Sequence, residues 1–298
     1  MKAERAASLR ADLALVGVTA TWGFTFPALQ LALRDAAPFT FIAARFAIAA
    51  VALAAVFRRR AWRFTWQGLG WGGLLGLCLA AGTVLQTYGL LFTTASKSAF
   101  ITALYVILVP LFAMGLLRVR LRVSSLVAAV VAAAGVFEIT SPWGASLNPG
   151  DLLTVGCAAA FALHIIAAEA ATPRHDVVAL TFLQVLTTAL AALVLMAAAE
   201  TPRLAITPWT VTALLATSLL ATALAFSVQM WAQRETSSAH VAVIFTAEPV
   251  FAAIFARIIQ EDRLGAHALI GAALILAGIA LAQIGARPPE VARPAPGG

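Results

Sequence analysis

Ten long apolar runs follow one another along the chain, at about 12–33, 38–57, 68–92, 97–117, 123–140, 151–171, 176–199, 209–233, 238–259 and 265–285. Each is close to the roughly 20 residues a helix needs to cross a hydrocarbon layer about 30 Å thick. No other feature restricts the fold as strongly. Lipid gives backbone N–H and C=O groups no partner, so only helices or closed barrels can cross it. A barrel would show segments of about ten residues alternating polar and apolar. These runs are continuous and rich in Ala and Leu. The expected fold is therefore all-α, a polytopic membrane protein with ten transmembrane helices. Of the 298 residues, 62% are hydrophobic and only 11% are charged, against roughly 45–50% and 25% in soluble domains.

The net charge of +7 does not call for nucleic acid, because the basic residues sit in short loops where topology places them. One set comprises Lys2, Arg5, Arg10, Arg58, Arg59, Arg60, Arg63, Arg118, Arg120, Arg122, Arg174, Arg234, Arg287 and Arg293; the other holds Arg34, Lys97, Arg203, Arg257 and Arg263. That imbalance puts both termini in the cytoplasm and the protein in the inner membrane, with lipid as its solvent. The segment 1–11 precedes the first run, and the Pro- and Gly-rich tail 286–298 is expected to be disordered. Cys78 and Cys157 lie inside apolar runs and read as small core residues, not a disulfide or a metal pair.

The chain also repeats itself. A shift of 139 residues lays Asp12, Leu13, Val16 and Gly17 on Asp151, Leu152, Val155 and Gly156. The same shift lays Ser98, Ala103, Pro110 and Phe112 on Ser237, Ala242, Pro249 and Phe251, and a slightly larger one lays Ala134-Gly135 on Ala277-Gly278. The halves are 12–140 and 151–285. Five spans is an odd number, so the second half enters the membrane from the opposite side. Such inverted repeats can exchange conformations and so move an opening from one face to the other.

Ionisable groups in lipid are costly and mark candidate sites. Glu248 lies about ten residues, or roughly 15 Å, into the ninth span. It can bind a substrate amine or take up a coupling proton; the alternative is a neutral Glu bonded to a neighbouring helix. His164 lies at mid-depth in the sixth span, where it can relay protons, bond a substrate or serve packing. Pro110 and Pro249 occupy equivalent places and suit paired kinks, as hinges or cavity walls. Polar stripes recur at helical spacing: Thr21, Trp22 and Thr25; Thr83, Gln86 and Thr87 with Tyr88 beside them; Ser98, Thr102 and Tyr105; and Thr222, Phe226, Gln229 and Gln233. These faces line a cavity or join helices. Arg45 reads as snorkelling or paired within the bundle, and Glu138 and Glu169 as reaching the interface. Gly68, Gly72 and Gly76 form a ridge for close packing, and Trp62, Trp66, Trp143 and Trp209 are interfacial anchors.

Trp22-Gly23, the stretch KSAFITALYVILVP from Lys97 to Pro110, and Glu248-Pro249-Val250 with Glu261 beyond it resemble the drug/metabolite transporter superfamily, EamA type. The resemblance spans about 12–285. It implies a cavity between two repeats, lined by spans 1, 3, 4, 6, 8 and 9, and export of small organic solutes. Aromatic amino acid exporters share this plan. The first half departs from the pattern after its fourth span, reading Arg118-Val119-Arg120-Leu121-Arg122 where an acidic residue is common.

The sequence thus leads to a secondary transporter that exports small metabolites, above all aromatic or other apolar amino acids, by alternating access. The substrate-facing set is Trp22, Thr25, Gln86, Tyr88, Thr102, Tyr105, His164, Phe226, Gln229 and Glu248. No P-loop, HExxH, Cys/His cluster or GxSxG appears, so no cofactor, metal or enzymatic role is expected. A ten-span bundle of this kind needs no oligomer. An uncoupled facilitator and a non-transporting scaffold are the alternatives.

Overall fold

The computed structural model describes residues 2–116, 123–140, 148–260 and 266–285. Arg118, Arg120, Arg122, Trp143, Glu261, Arg263 and the tail 286–298 lie outside the described residues. The helices are α1 (Lys2–Ala32), α2 (Pro38–Phe57), α3 (Trp66–Gly89), α4 (Ala95–Thr102), α5 (Tyr105–Leu116), α6 (Val123–Thr140) and α7 (Pro149–Ala171). They continue with α8 (Val177–Ala199), α9 (Pro208–Leu215), a π-helical segment Ala216–Leu224, α10 (Ala225–Ala232), α11 (Ser238–Phe245), α12 (Glu248–Gln260) and α13 (Ala266–Gly285). Among the described residues, eight helical stretches are long and apolar enough to cross a membrane: α1 from Leu9, α2, α3, α4–α5, α7, α8, α9–α10 and α11–α12. The remaining two helices, α6 and α13, pack on each other.

The distribution of polarity is the reverse of a soluble protein's. Val51, Val56, Leu152 and Val194 are 67–74% exposed, whereas Thr19, Thr87, Ser98, Thr154, Gln184 and Thr188 are fully buried. Apolar surface outward and polar groups inward is what lipid selects.

Each helix start leaves unpaired N–H groups, and polar side chains meet them. Thr65, Thr94, Thr207 and Ser237 cap α3, α4, α9 and α11, and Asn148 forms a reciprocal capping box with Asp151 at α7. Helix α2 has Ala37 at its cap position, which offers no acceptor. Its partner comes from elsewhere: Glu200, just past α8, accepts from the backbone N–H of Phe39 at 3.2 Å and from both N–H and Oγ1 of Thr40. Next to this contact the 33–37 and 200–205 loops pair through an Ala36–Leu204 bridge. At another set of loop ends Arg60 pairs with Asp176 at 3.1 Å.

Helix α1 packs against α10 and α12, and α7 against α3, α4 and α5. Helices α2 and α3 both lie on α8. Gly72 and Gly76 allow that approach: a Cβ at Gly72 would overlap the Leu183 side chain, and one at Gly76 would lie 2.7 Å from the Gln184 carbonyl. Thr188 Oγ1 then reaches across to donate to the Gly76 carbonyl at 3.0 Å. A Cβ at Gly68 would meet Thr65, the His175 ring and Phe64 only at ordinary contact distances of 3.4–3.9 Å, so the ridge works over two of its three glycines. A Cβ at Gly73, one residue round the helix, meets nothing within 4 Å. Gly76→Leu should therefore lower the melting temperature of the purified protein, at an overpacking cost of about 1–3 kcal/mol, while Gly73→Leu leaves it unchanged. Equal melting curves for the two variants would contradict this packing.

Candidate functional site: a central polar cavity

Pro249 sets the local geometry. It has no N–H, so the Phe245 carbonyl four residues earlier loses its helical donor. Helix α11 ends at Phe245, and tighter bonds from Thr246 N to Val243 O and from Ala247 N to Ile244 O carry the chain into α12. The freed carbonyl is answered from the other half of the chain: Tyr105 Oη donates to Phe245 O at 2.9 Å. The same hydroxyl lies 3.2 Å from Glu248 Oε2. One hydroxyl proton cannot fully serve two acceptors. Glu248 therefore has room for a further donor from the cavity.

Helix α1 reaches this break through Gly23. A Cβ there would sit 2.8 Å from Ala252 N and 2.9 Å from the Glu248 carbonyl. Trp22, beside it, donates Nε1–H to the Ala221 carbonyl at 2.8 Å and packs on Phe226 and Phe245, with ring centroids 5.4 and 4.8 Å away. Ala221 belongs to the π-helical segment, a distortion that often marks functional sites. Arg45, 7% exposed, donates Nε–H to Thr222 Oγ1 at 2.8 Å.

Between these groups is a cavity of about 50 Å³, lined by Trp22, Thr25, Arg45, Leu79, Thr83, Gln86 and Tyr105 from the first half. From the second half come Phe161, His164, Ile165, Phe226, Gln229, Phe245 and Glu248. At about 10–15 Å³ per water the space accommodates about three to five waters. His164 Nε2 lies 2.6 Å from Gln184 Oε1. Gln229 Nε2 donates to Gln233 Oε1, and Gln233 Nε2 to the Ile165 carbonyl, both at 2.8 Å. Among the described residues, Gln229 Oε1 on this wall is buried without a partner, as is Gln184 Nε2 behind His164. Unsatisfied buried polar atoms are costly in a packed interior and suit a wall that meets a ligand.

Eight of the ten residues singled out in the sequence come together here: Trp22, Thr25, Gln86, Tyr105, His164, Phe226, Gln229 and Glu248. Two do not line the cavity. Thr102 is buried behind Gln86, 3.5 Å from Nε2, and 3.9 Å from Cys157 Sγ. Tyr88 stacks on Phe39, near the α2 end that Glu200 caps. Pro249 stands at a helix break, but Pro110 lies inside α5, and the first-half break falls ahead of it at Ala103-Leu104. Arg45 does not snorkel; it is buried and faces the cavity. Glu169 accepts from Ser238 N at 3.0 Å. Leu79, Phe161, Ile165 and Phe245 carried no signal in the sequence, since an apolar residue reads the same whether it faces lipid or a cavity.

A charged, aromatic cavity closed inside an apolar helical bundle defines a membrane carrier of small molecules. The profile of the EamA-like transporter family matches the chain twice, over residues 9–141 and 148–283, and the chain belongs to that family. A relative from Archaeoglobus fulgidus, described as an uncharacterized transporter, is 29% identical over 285 residues, covering 95% of this chain and 88% of its own. A solved crystal structure shares the fold with a TM-score of 0.75 and 21% identity, over 92% of this chain and 97% of that one.

Removing the Tyr105 hydroxyl leaves the Phe245 carbonyl unanswered. Tyr105→Phe should therefore fold but lose about 1–3 kcal/mol of stability, seen as a lower thermal midpoint in detergent. An unchanged midpoint would mean that another group satisfies that carbonyl.

Proposed function

We propose that this protein is a secondary transporter that exports small organic solutes, with amino acids of aromatic or other apolar side chain as its substrates. Ten spans form two inverted repeats, and alternating access moves the solute through the central cavity. The observation that carries this reading is the composition of the cavity wall: seven residues come from each half, so any movement of one half against the other reshapes the site.

The packing supports the inverted repeat. Helix α1 meets α12 and α10, as α7 meets α5 and α3; α2 meets the π-helical segment, as α3 meets α8. Exchanging the halves maps each contact onto its counterpart. Two polar pairs obey the same rule. Asp12 of α1 meets His240 of α11 at 2.9 Å, and Asp151 of α7 meets Lys97 of α4 at 2.5 Å. Asp12 and Asp151 are 139 residues apart, the offset at which the two family matches begin. Each pair ties the first span of one half to the fourth span of the other. In a ten-span topology with both termini cytoplasmic, Asp12–His240 lies at the inner mouth and Asp151–Lys97 at the outer. Both contacts made together, with a cavity too small for a solute, correspond to a state closed at both ends. Breaking one and keeping the other gives the two open states.

Glu248 would act on the substrate ammonium or exchange it for a proton. Uptake of labelled amino acids into proteoliposomes, with and without a pH gradient, tests this on wild type and Glu248→Gln. Saturable flux in wild type that falls at least about tenfold in the variant, a loss of about 1.4 kcal/mol, is the expected result. Equal flux in both proteins would remove Glu248 from the mechanism.

A further inference from the structure

We propose that Arg45 is the carboxylate-binding residue of the cavity. Together with Glu248 it makes the site selective for zwitterionic α-amino acids over simple amines and simple carboxylic acids. The inference rests on the transport reading and adds to it the residue that recognises the acid group.

Arg45 lies eight residues into α2, a membrane-spanning helix, and is 7% exposed. A guanidinium stays charged in a protein, so it cannot escape the cost of burial by losing a proton. Buried arginines are held by carboxylates or backbone carbonyls. Among the described residues no carboxylate pairs with Arg45: its contacts are Thr222 Oγ1 through Nε–H and the Phe46 ring, whose centroid is 5.3 Å from Cζ. A guanidinium has five N–H donors. One is engaged, which leaves the two terminal nitrogens of a side chain that lines the cavity. That planar fork is the donor pattern that matches a carboxylate.

The fork is held in place. Thr222 Oγ1 accepts from Arg45 and itself donates to the Thr217 carbonyl, five residues back, at 2.9 Å. That spacing belongs to the π-helical segment, so the distortion orients the arginine. Trp22 links the surroundings of the two ionisable groups. It bonds the carbonyl of Ala221, next to Thr222, and packs on Phe245, whose carbonyl shares the Tyr105 hydroxyl with Glu248. Arg45 and Glu248 line one cavity without pairing with each other.

Two opposite charges so placed set a condition on the solute. A simple amine answers Glu248 and the unpartnered Gln229 Oε1 but brings a second cation beside Arg45. A simple carboxylate answers Arg45 and repels ionised Glu248. An α-amino acid matches both ends, and the Trp22, Phe161 and Phe226 rings take its side chain.

The test measures binding by intrinsic tryptophan fluorescence, on the full chain in nanodiscs, with L-phenylalanine, phenethylamine and 3-phenylpropionate as probes. Proteoliposome flux of the same three solutes is read in parallel. Wild type should bind L-phenylalanine at least about tenfold more tightly than either analogue. Arg45→Gln should lose the preference over phenethylamine and keep the preference over 3-phenylpropionate; Glu248→Gln should do the reverse. Arg45→Lys keeps the charge without the fork, and Thr222→Val removes its support. Both should reduce the phenethylamine preference, and they carry the test if Arg45→Gln does not fold. Undiminished preference in folded Arg45 variants, or no preference or no binding in wild type, overturns the assignment. Selective binding without flux of any probe would instead sustain Arg45 as the carboxylate site and contradict the transport reading.

Discussion

Inside a bilayer no water completes an unpaired backbone group, so a backbone N–H or C=O in the bundle must find its answer in the protein. The break between α11 and α12 is built around that constraint. Pro249 deprives the Phe245 carbonyl of its helical donor, and Tyr105 of the other half supplies one. That bond pins α5 to α11, places the tyrosine hydroxyl against Glu248, and draws α1 in through Gly23. A single missing N–H thus organises contacts among four helices and leaves a carboxyl facing a cavity. The same accounting applies to Arg45, whose Nε–H is met by Thr222 in a stretch of helix wound wide enough to offer it.

The two halves answer each other throughout. Glu200 caps α2, which has no cap of its own; Lys97 and His240 meet the acidic residues near the start of the opposite half's first span. Bonds within one helix survive any rigid movement. Bonds between halves are the ones a carrier must break and remake, and the pairs Asp12–His240 and Asp151–Lys97 are both of this kind. Asp151, Lys97 and His240 each lie in the first turn of a helix and Asp12 near the start of the apolar stretch of α1, so one break frees the end of a span without unravelling it.

Much of this was legible in the sequence, and for physical reasons. Lipid imposes length and apolarity on each span, so helix positions could be read to within a few residues, except at the start of α1, which begins at Lys2 where the sequence reading began near residue 12. Burying polarity imposes a face, so Trp22, Gln86, Tyr105, His164, Gln229 and Glu248 could be identified as facing inward. The limits are equally physical. A proline shows where a donor is missing but not where the helix gives way: Pro110 stays within α5, while the chain tightens earlier through Leu104 N to Ile101 O and Val106 N to Ala103 O. A charge shows that a partner is needed but not which way the side chain turns, so Arg45 read as snorkelling or paired within the bundle, and the structure shows the second, with the side chain on the cavity wall. Phe161 and Phe245 are indistinguishable by type from lipid-facing phenylalanines such as Phe137, 53% exposed. Tyr88 extended a polar stripe, yet the end of α3 carries it to Phe39, away from the cavity.

The central claim is that the two mouths of the cavity open in opposition. Distances between paired spin labels measure it most directly, with Leu9 and Glu235 labelled near the Asp12–His240 contact and Phe92 and Leu152 near the Asp151–Lys97 contact. All four sites are exposed. Across a series of substrate concentrations, the populations of long distance at one mouth should rise as those at the other fall. Distances that stay fixed at both mouths, or lengthen together, would contradict alternating access in this protein.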